Sequence, residues 1–209
     1  VSRTVYDALG RTVYTTDQYL LRVLSGGSEQ PVTQNVCGSH AIYDSLGRAV
    51  RTERLQGMTV SIIDVGGLPE AQITNPGAVI SSNETCYDTQ GRTDHTVDRF
   101  GNETRYVYDA AGRTIETRSH VRAHTSGADD LLWSVTRTVY DAAGRAVFAT
   151  DLFLMTTDAT PQMVTTTVTG TRTTYDKAGR VVMTEGLEGL QIDIATDTQG
   201  RVISKVTDS

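Results

Sequence analysis

Aspartate and arginine recur in this sequence at a fixed spacing that could support chemistry. The clearest copy is Tyr140-Asp141-Ala142-Ala143-Gly144-Arg145, in which a carboxylate and a guanidinium stand four residues apart. Such a pair could act in acid–base catalysis or hold a charged ligand. In the structural alternative, the Asp bonds the backbone of a turn while the Arg packs its stem or pairs with a neighbouring Asp. We favour the structural interpretation because the phrase occurs seven times, and an active site rarely needs seven identical copies.

The seven phrases define the residues that we expect at structural repeat turns. The last copy, Thr196-Asp197-Thr198-Gln199-Gly200-Arg201, has lost its Tyr. The predicted turn residues are Tyr6, Asp7, Gly10, Arg11, Tyr43, Asp44, Gly47, Arg48, Tyr87, Asp88, Gly91, Arg92, Tyr108, Asp109, Gly112, Arg113, Tyr140, Asp141, Gly144, Arg145, Tyr175, Asp176, Gly179, Arg180, Asp197, Gly200 and Arg201.

Other residues that could do chemistry have simpler interpretations. His120 and His124 share a face if they lie on a strand, but about 13 Å apart, so we expect ordinary surface histidines rather than a metal pair. The pair Asp129-Asp130 shows no full set of calcium ligands, and Trp133 is expected in core or ladder packing. With no nucleophile elbow, P-loop or dinucleotide motif either, the sequence predicts no catalytic, cofactor-binding or metal site, and no enzyme.

The two cysteines, Cys37 and Cys86, show no zinc-ligand spacing. In an oxidising compartment the two could form a disulfide, while two buried free thiols are the simpler expectation.

Composition restricts the partners. The net charge of −6 and the pI of about 5.2 argue against a protein that follows nucleic-acid phosphates, which normally presents a basic face. No apolar run approaches the roughly 20 residues of a membrane helix, so no membrane insertion is expected. No signal peptide is recognisable, and both ends look cut from a longer array.

Each phrase is predicted to close a β-hairpin. Asp141 can accept a bond from the backbone two residues on, and Gly144 can take a positive φ at little cost. A type I turn followed by a left-handed Gly closes a hairpin with a bulge. The flanks alternate with period 2 and are rich in Val, Thr and Tyr, which is typical of strands. Tyr then stands one residue before each turn, and stacked hairpins would place these rings in a ladder of aromatic contacts.

The spacing between phrases predicts an antiparallel meander without helices. The Asp residues recur at intervals of 37, 44, 21, 32, 35 and 21 residues. In the two short intervals a second turn is expected on the opposite edge, at Asp98–Asn102 and at Glu185–Gly189. The longer intervals are expected to carry longer return hairpins. Their predicted features are tips at Ser25–Ser28, Thr125–Asp130 and Thr156–Pro161, a strand at Val164–Thr169, and an extra hairpin among the breakers Gly57, Gly66-Gly67, Pro69 and Asn75-Pro76-Gly77.

These phrases resemble the YD-repeat, or RHS-repeat, family across essentially the whole chain. The best match is Asp98-Arg99-Phe100-Gly101-Asn102 followed by Tyr108-Asp109-Ala110-Ala111-Gly112-Arg113. The resemblance implies a long β-strip that spirals into a hollow shell, as in Rhs proteins, the C component of Tc toxins and teneurins. The self-cleaving segment that follows such repeats in the toxins contains Asp-Pro, which is absent here, so only the scaffold is carried over. The rival fold, a seven-bladed propeller, needs about 40 residues per blade, more than 209 residues supply.

We therefore expect one YD/RHS-repeat array over residues 1–209, a β-solenoid or spiral shell segment open at both ends. Its expected function is that of a structural scaffold in a secreted or cell-surface bacterial protein that encloses or presents another polypeptide. One alternative is a fibre or sheath subunit that self-assembles end to end by strand pairing. A further alternative is an adhesin or carbohydrate-binding module, which needs an exposed aromatic cluster. The expected partners are neighbouring repeats of the same or a longer chain, or identical copies.

Overall fold

The computed structural model describes residues 1–23, 29–31, 35–65, 68–120, 132–156, 167–196 and 202–207. Within these ranges the chain forms seventeen strands and no helix, and every strand pairing is antiparallel, which confirms the predicted all-β class. The described part contains no helix long and apolar enough to cross a membrane. The chain divides into two compact units, Val1–Cys86 and Tyr87–Ser209, while the expected single array stays a prediction.

The first unit is a sheet whose strands follow one another in the order β1-β2-β5-β6-β8, with β7 paired to β6 and a separate hairpin of β3 and β4. Its buried core consists of Tyr19, Val36, Leu55, Met58 and Val60. The strands are β1 (Thr4–Tyr6), β2 (Thr12–Thr16), β3 (Leu21–Val23), β4 (Glu29–Pro31), β5 (Val36–Tyr43), β6 (Ala49–Val65), β7 (Leu68–Asn75) and β8 (Ala78–Tyr87).

The 44-residue interval contains one lengthened hairpin instead of the extra hairpin that its breakers predict. β6 runs straight through Gly57, and β7 and β8 return along it in succession. Thr59 pairs with Asn75, and Gln56 pairs with Ala78, so the return path keeps its register on β6 across the break at Pro76-Gly77. Pro69 sits inside β7, where a proline is tolerated because β7 pairs with β6 alone among the described strands.

The second unit is an antiparallel meander in the order β9-β10-β11-β12-β13-β15-β16-β17, with β14 paired to β12. Its buried core consists of Trp133, Val135, Phe153, Met155 and Val168. The strands are β9 (Thr93–Val97), β10 (Glu103–Tyr108), β11 (Thr114–His120), β12 (Leu132–Tyr140), β13 (Ala146–Thr150), β14 (Phe153–Thr156), β15 (Val168–Tyr175), β16 (Val181–Thr196) and β17 (Val202–Thr207).

The turn predicted at Glu185–Gly189 is wrong. These residues lie inside β16, which pairs with β15 up to Leu190 and then with β17 from Gln191. Gly189 has a φ of +70° beside a register shift, so its glycine signal belongs to a bulge rather than to a reversal. The other short interval does reverse at Asp98–Asn102, between β9 and β10.

Several predicted features lie outside the described residues. They are the seventh phrase at 197–201, the tips at 25–28 and 125–130, most of the tip at 156–161, His124, and residues 164–166 of the strand predicted at Val164–Thr169, of which β15 begins at Val168.

Candidate functional site: the repeat turns

The six phrases within the described residues share one turn geometry. In the copy at Asp141, the Asp141 N–H donates to the Arg145 carbonyl at 2.9 Å, and the Gly144 N–H donates to the Asp141 carbonyl at 3.0 Å. Gly144 has a φ of +82°, and the strand register slips at Val139 and Tyr140. This is a type I turn closed by a glycine bulge. The copies at Asp7, Asp44, Asp88, Asp109 and Asp176 make the same two backbone bonds within 0.1 Å.

Both oxygens of the Asp carboxylate in each phrase accept hydrogen bonds from within its own turn. Asp141 Oδ1 accepts the N–H groups of Ala143 and Arg145, both at 2.9 Å. Asp141 Oδ2 accepts Arg145 Nε at 2.7 Å and lies 2.6 Å from Arg145 Nη2. The backbone N–H of Arg145, followed by its guanidinium, lowers the pKa of Asp141 below its ordinary value. The carboxylate is therefore ionised at neutral pH and committed to the turn.

The turn at Asp98–Asn102, on the opposite edge, holds its Asp carboxylate with a side-chain amide instead of a guanidinium. Asp98 Oδ1 accepts the N–H groups of Phe100 at 2.8 Å and Asn102 at 2.9 Å, and Oδ2 accepts Asn102 Nδ2 at 2.9 Å. Gly101 has a φ of +81°. Asn102 thus stands where the phrase has Arg, but it lacks a guanidinium with which to reach a neighbouring turn.

The phrase Arg also holds the next phrase along the chain. The guanidinium of Arg113 covers the Tyr140 ring at 4.6 Å from the centroid, and its Nη1 donates to the Asp141 carbonyl at 3.3 Å. The Tyr140 hydroxyl donates back to the Thr114 carbonyl at 3.2 Å. We call this Arg–Tyr contact a clasp. The described clasps are Arg11 with Tyr43, Arg92 with Tyr108, Arg113 with Tyr140 and Arg145 with Tyr175, at 4.5, 4.4, 4.6 and 4.6 Å.

The clasps correct the expected ladder of Tyr rings. Each of these four rings packs on the guanidinium of the preceding phrase instead of on another Tyr, a cation–π arrangement. The Arg is available for it because Nε and Nη2 bind the Asp, while the flat face and Nη1 remain for the neighbour.

A constant register brings the two clasp residues together. Tyr14, three residues after Arg11, pairs with His40, three residues before Tyr43. Glu116, three residues after Arg113, likewise pairs with Arg137, three residues before Tyr140. Phe148, three residues after Arg145, pairs with Arg172, three residues before Tyr175. In every such ladder, the Arg of one phrase faces the Tyr of the next.

Sequence reasoning missed a recurring residue three positions before the phrase Tyr. It is Arg in four described phrases and His or Glu in the other two; the residues are Arg3, His40, Glu84, Arg105, Arg137 and Arg172. In the phrases of Tyr140 and Tyr43 it contacts its cross-strand partner. Arg137 Nη1 bonds Glu116 Oε2 at 2.9 Å, and His40 stacks on Tyr14 at 4.2 Å. At Glu84 the charges are exchanged, with Arg51 3.6 Å from its carboxylate. Aligning the phrases on their Tyr would have revealed this position.

A longer internal duplication was also missed. Residues 1–21 match residues 135–155 at 13 of 21 positions, and residues 36–58 match residues 168–190 at 11 of 23. We call residues 1–21 with 36–58 the first module, and residues 135–155 with 168–190 the second module. Comparing the chain with itself beyond the six-residue phrase would have found them.

The remaining candidate residues, Trp133 and His120, lie in the second unit. Trp133 is buried, which confirms its expected packing role, and it lies 4.9 Å from the His120 ring. His120 is itself buried, so the expectation of a surface histidine is wrong: His120 shares the buried face of β11 with Glu116 and Arg118. Fully buried Glu116 binds both Arg118 and Arg137, and burial lowers the pKa of Arg137.

Cys37 and Cys86 are free thiols, and the expectation that both are buried is wrong because Cys37 is half-buried and Cys86 is exposed. The part of the chain that the structure describes contains no group of three or more His, Cys, Asp or Glu residues placed to hold a metal ion.

No family model and no curated protein matches the chain. Solved structures give low-score similarities, among them the following three. A chain of the TcdB2-TccC3-Cdc42 crystal structure is 15% identical over 98% of our chain and 12% of its own, with a TM-score of 0.28. A TcdB2-TccC3 chain is 14% identical over 99% and 14%, and a chain of the Photorhabdus luminescens Tc holotoxin pore is 14% identical over 96% and 12%, both with TM-scores of 0.26. Our chain thus spans 12–14% of the length of these chains.

Proposed function

We propose that this chain is a structural repeat scaffold, a length of β-strip within an extracellular or cell-surface bacterial protein that encloses or presents another polypeptide. The observation that carries the scaffold role is the clasp, which joins consecutive hairpins with the same two residue types in the same register four times. The resemblance to YD/RHS repeats, drawn from the phrase residues, supports the enclosing role and the location.

The chemistry of the phrase supports a scaffold rather than an enzyme. The polar atoms of Asp141 and Arg145 form hydrogen bonds with one another, with the backbone of the turn and with the next phrase. A catalytic carboxylate or guanidinium needs atoms that can reach a substrate. The adhesin alternative is not proposed, because Trp133, the only tryptophan, is buried.

The clasp can be measured by comparing two arginines that make the same turn. Arg113 and Arg180 bind Asp109 and Asp176 within their own turns at 2.6 and 2.8 Å, and Arg113 also clasps Tyr140. We expect Arg113→Ala to lower the free energy of unfolding in urea by about 1–2 kcal/mol more than Arg180→Ala, from the lost cation–π contact and hydrogen bond. Equal losses would contradict a scaffold built on clasps.

The absence of catalysis is tested separately. An unfolded, reduced casein incubated with the chain should stay uncut when its mass is followed by mass spectrometry. Cleavage that disappears in the Asp141→Asn variant would overturn the proposal, since it would assign the phrase a hydrolytic role.

A further inference from the structure

The four described clasps are alike, so the clasp alone does not distinguish one hairpin from another. We call the pairing of a strand that follows a phrase with the next strand that leads into a phrase a junction. The junctions among the described strands are β2–β5, β6–β8, β9–β10, β11–β12 and β13–β15. Hairpins that offer the same contact can pair with the wrong neighbour, a characteristic failure of repeat proteins. Correct pairing therefore needs a contact that differs between junctions.

A second cross-strand pair differs in this way. It joins the residue three positions after the phrase Arg to the residue three positions before the next phrase Tyr. At β11–β12 the pair is Glu116 with Arg137, at 2.9 Å. At β6–β8 the charges are reversed, with Arg51 on the first strand 3.6 Å from Glu84 on the second. The pairs at the other junctions are Tyr14 with His40, His95 with Arg105, and Phe148 with Arg172.

An exchange of partners between the two charged junctions would oppose like charges. In the common register, β12 on β6 would set Arg137 opposite Arg51, and β8 on β11 would set Glu84 opposite Glu116. Like charges directly opposite one another destabilise a strand pair. The cost is greatest at Glu116, which is fully buried, because a low-dielectric site strengthens the repulsion. The correct partner is thus favoured by attraction and the wrong one is rejected by repulsion.

The β9–β10 junction shows where such a pair is not needed. Its strands are joined directly by the turn at Asp98–Asn102, and a hairpin turn fixes the register by itself. Here His95 bonds Asp94 and Arg105 bonds Glu103, each a near neighbour on its own strand. The strands of the two charged junctions are instead separated along the chain by β7 and by residues 121–131. The charged pairs therefore stand where a short turn does not join the two strands.

We propose that these two pairs are specificity determinants of hairpin pairing. Glu116 selects the strand that carries Arg137, Arg51 selects the strand that carries Glu84, and each rejects the partner of the other. The partner that fits is a strand that leads into a phrase and carries the opposite charge three residues before its Tyr. This proposal rests on the proposed function, since the clasp supplies the common register within which the charges are compared.

Cysteine pairs can report which strand β12 joins during refolding. Thr136 pairs with Thr117 in the native junction, and Thr52 pairs with Asn83. If β12 paired with β6 in the common register, Thr136 would lie opposite Thr52. Directly opposed residues of antiparallel strands are within the Cα separation of a disulfide. With both native cysteines replaced by serine, Thr117→Cys with Thr136→Cys reports the native pairing, and Thr52→Cys with Thr136→Cys reports the exchanged pairing.

The 209-residue chain is unfolded in urea and refolded by dilution under mild oxidation, and each disulfide is quantified by mass spectrometry. We expect the native disulfide in high yield and the exchanged disulfide to be scarce. Arg51→Glu gives β6 the charge that β11 has, and should raise the exchanged disulfide at least several-fold. Arg51→Glu with Glu84→Arg should raise it too, although an ion pair then remains at both junctions. An abundant exchanged disulfide with Arg51 in place, or no rise in either variant, would overturn the proposal.

Matched variants separate pairing specificity from stability. Arg51 and Glu84 are 41 and 48% exposed, so these substitutions do not disturb the core. Arg51→Gln removes the same guanidinium without offering a carboxylate to Arg137, and should raise the exchanged disulfide far less than Arg51→Glu. Equal rises in the two variants would overturn the proposal. If Arg113→Ala destabilises the fold while Arg51→Glu leaves the exchanged disulfide unchanged, the clasp stands and the specificity role of the charged pairs falls.

Discussion

In the first module Tyr19 fills the buried position that Phe153 fills in the second. The Tyr19 hydroxyl is buried and has no hydrogen-bond partner among the described residues, a defect that Phe153 cannot have. Two positions earlier both modules have Asp, but its side-chain partner differs. Asp17 pairs with the guanidinium of Arg54, whereas Asp151 accepts the hydroxyl of Thr169. The two modules therefore make different side-chain contacts at equivalent positions.

The backbone of the two modules is nevertheless held by the same contacts. The Thr16 hydroxyl accepts the Arg3 N–H at 2.9 Å, as Thr150 accepts the Arg137 N–H at 2.8 Å. The Asp17 N–H donates to the Cys37 carbonyl at 2.8 Å, and its counterpart Asp151 makes the same bond with Thr169. The two modules thus share these contacts with the backbone, while the buried side chains Tyr19 and Phe153 differ.

The largest test of this conclusion concerns two glycines packed against backbone. A Cβ on Gly38 would come within 2.5 Å of the Thr15 carbonyl oxygen, and one on Gly170 within 2.5 Å of the Ala149 carbonyl oxygen. We expect Gly38→Ala and Gly170→Ala each to cost about 2–3 kcal/mol of unfolding free energy, because the neighbouring strand must shift. Equilibrium urea unfolding measures both.

Gly186→Ala is the matched control. Gly186 lies on β16 without a positive φ, and a Cβ there meets nothing within 4 Å. It should change stability by only a few tenths of a kcal/mol. A large loss at one tight glycine and none at the other would mean that the two modules are not equivalent.

The next largest loss of stability is expected at the buried threonines Thr16 and Thr150. Thr16→Val and Thr150→Val keep the shape of the side chain but leave the N–H of Arg3 or Arg137 without its hydroxyl acceptor. We expect a loss of about 1–2 kcal/mol in each module, measured as above. Replacement of either Thr by Ser retains the hydroxyl and should recover much of the loss. If Ser and Val behave alike, packing rather than the hydrogen bond determines the position.

Exchanging the aromatic residues should move stability in opposite directions. Tyr19→Phe removes the unpartnered hydroxyl and should raise the free energy of unfolding by about 1 kcal/mol. Phe153→Tyr introduces a hydroxyl into a fully buried site and should lower it by a similar amount or more. A destabilised Tyr19→Phe variant would show that the hydroxyl has a partner in solution.

The sequence predicted the phrase hairpins because their signals are local. The Asp and Gly of each phrase determine a turn within six residues, and the structure has Asp141 and Gly144 in that geometry. The role of the Arg could not be predicted in the same way. Its clasp depends on which strands lie side by side, a property of register between residues about 30 positions apart, such as Arg113 and Tyr140.

The wrong turn predictions came from assigning every glycine signal to a reversal of the chain. Gly186 and Gly189 resemble a turn in sequence, yet both lie within β16, which continues from Val181 to Thr196. Gly57 likewise lies in a bulge of β6 against β5, and Gly77 lies in a break between β7 and β8 that keeps the register on β6. A bulge and a turn both use a positive φ, so composition alone does not separate them.

The smallest expected effect is a difference between the modules in acid. Backbone and side-chain hydrogen bonds from the phrase Arg residues lower the pKa values of Asp7, Asp44, Asp141 and Asp176 in the folded state. A carboxyl whose folded pKa is depressed stabilises the fold above its unfolded pKa of about 3.9, and loses that contribution as the pH falls through the folded value. The four phrase carboxyls should therefore weaken both modules alike below about pH 4, and add no pH dependence above about pH 5.

Asp17 should add to the acid sensitivity of the first module alone, because the hydrogen bond from the Arg54 guanidinium lowers its pKa too. Asp17 is exposed, so the addition is small and should fade in high salt. Hydrogen exchange of the strands in each module between pH 3 and pH 5 measures the two separately. We expect protection in the first module to fall at slightly higher pH, and Asp17→Asn to remove that difference. If the difference survives in Asp17→Asn, it arises from another titrating group of the first module.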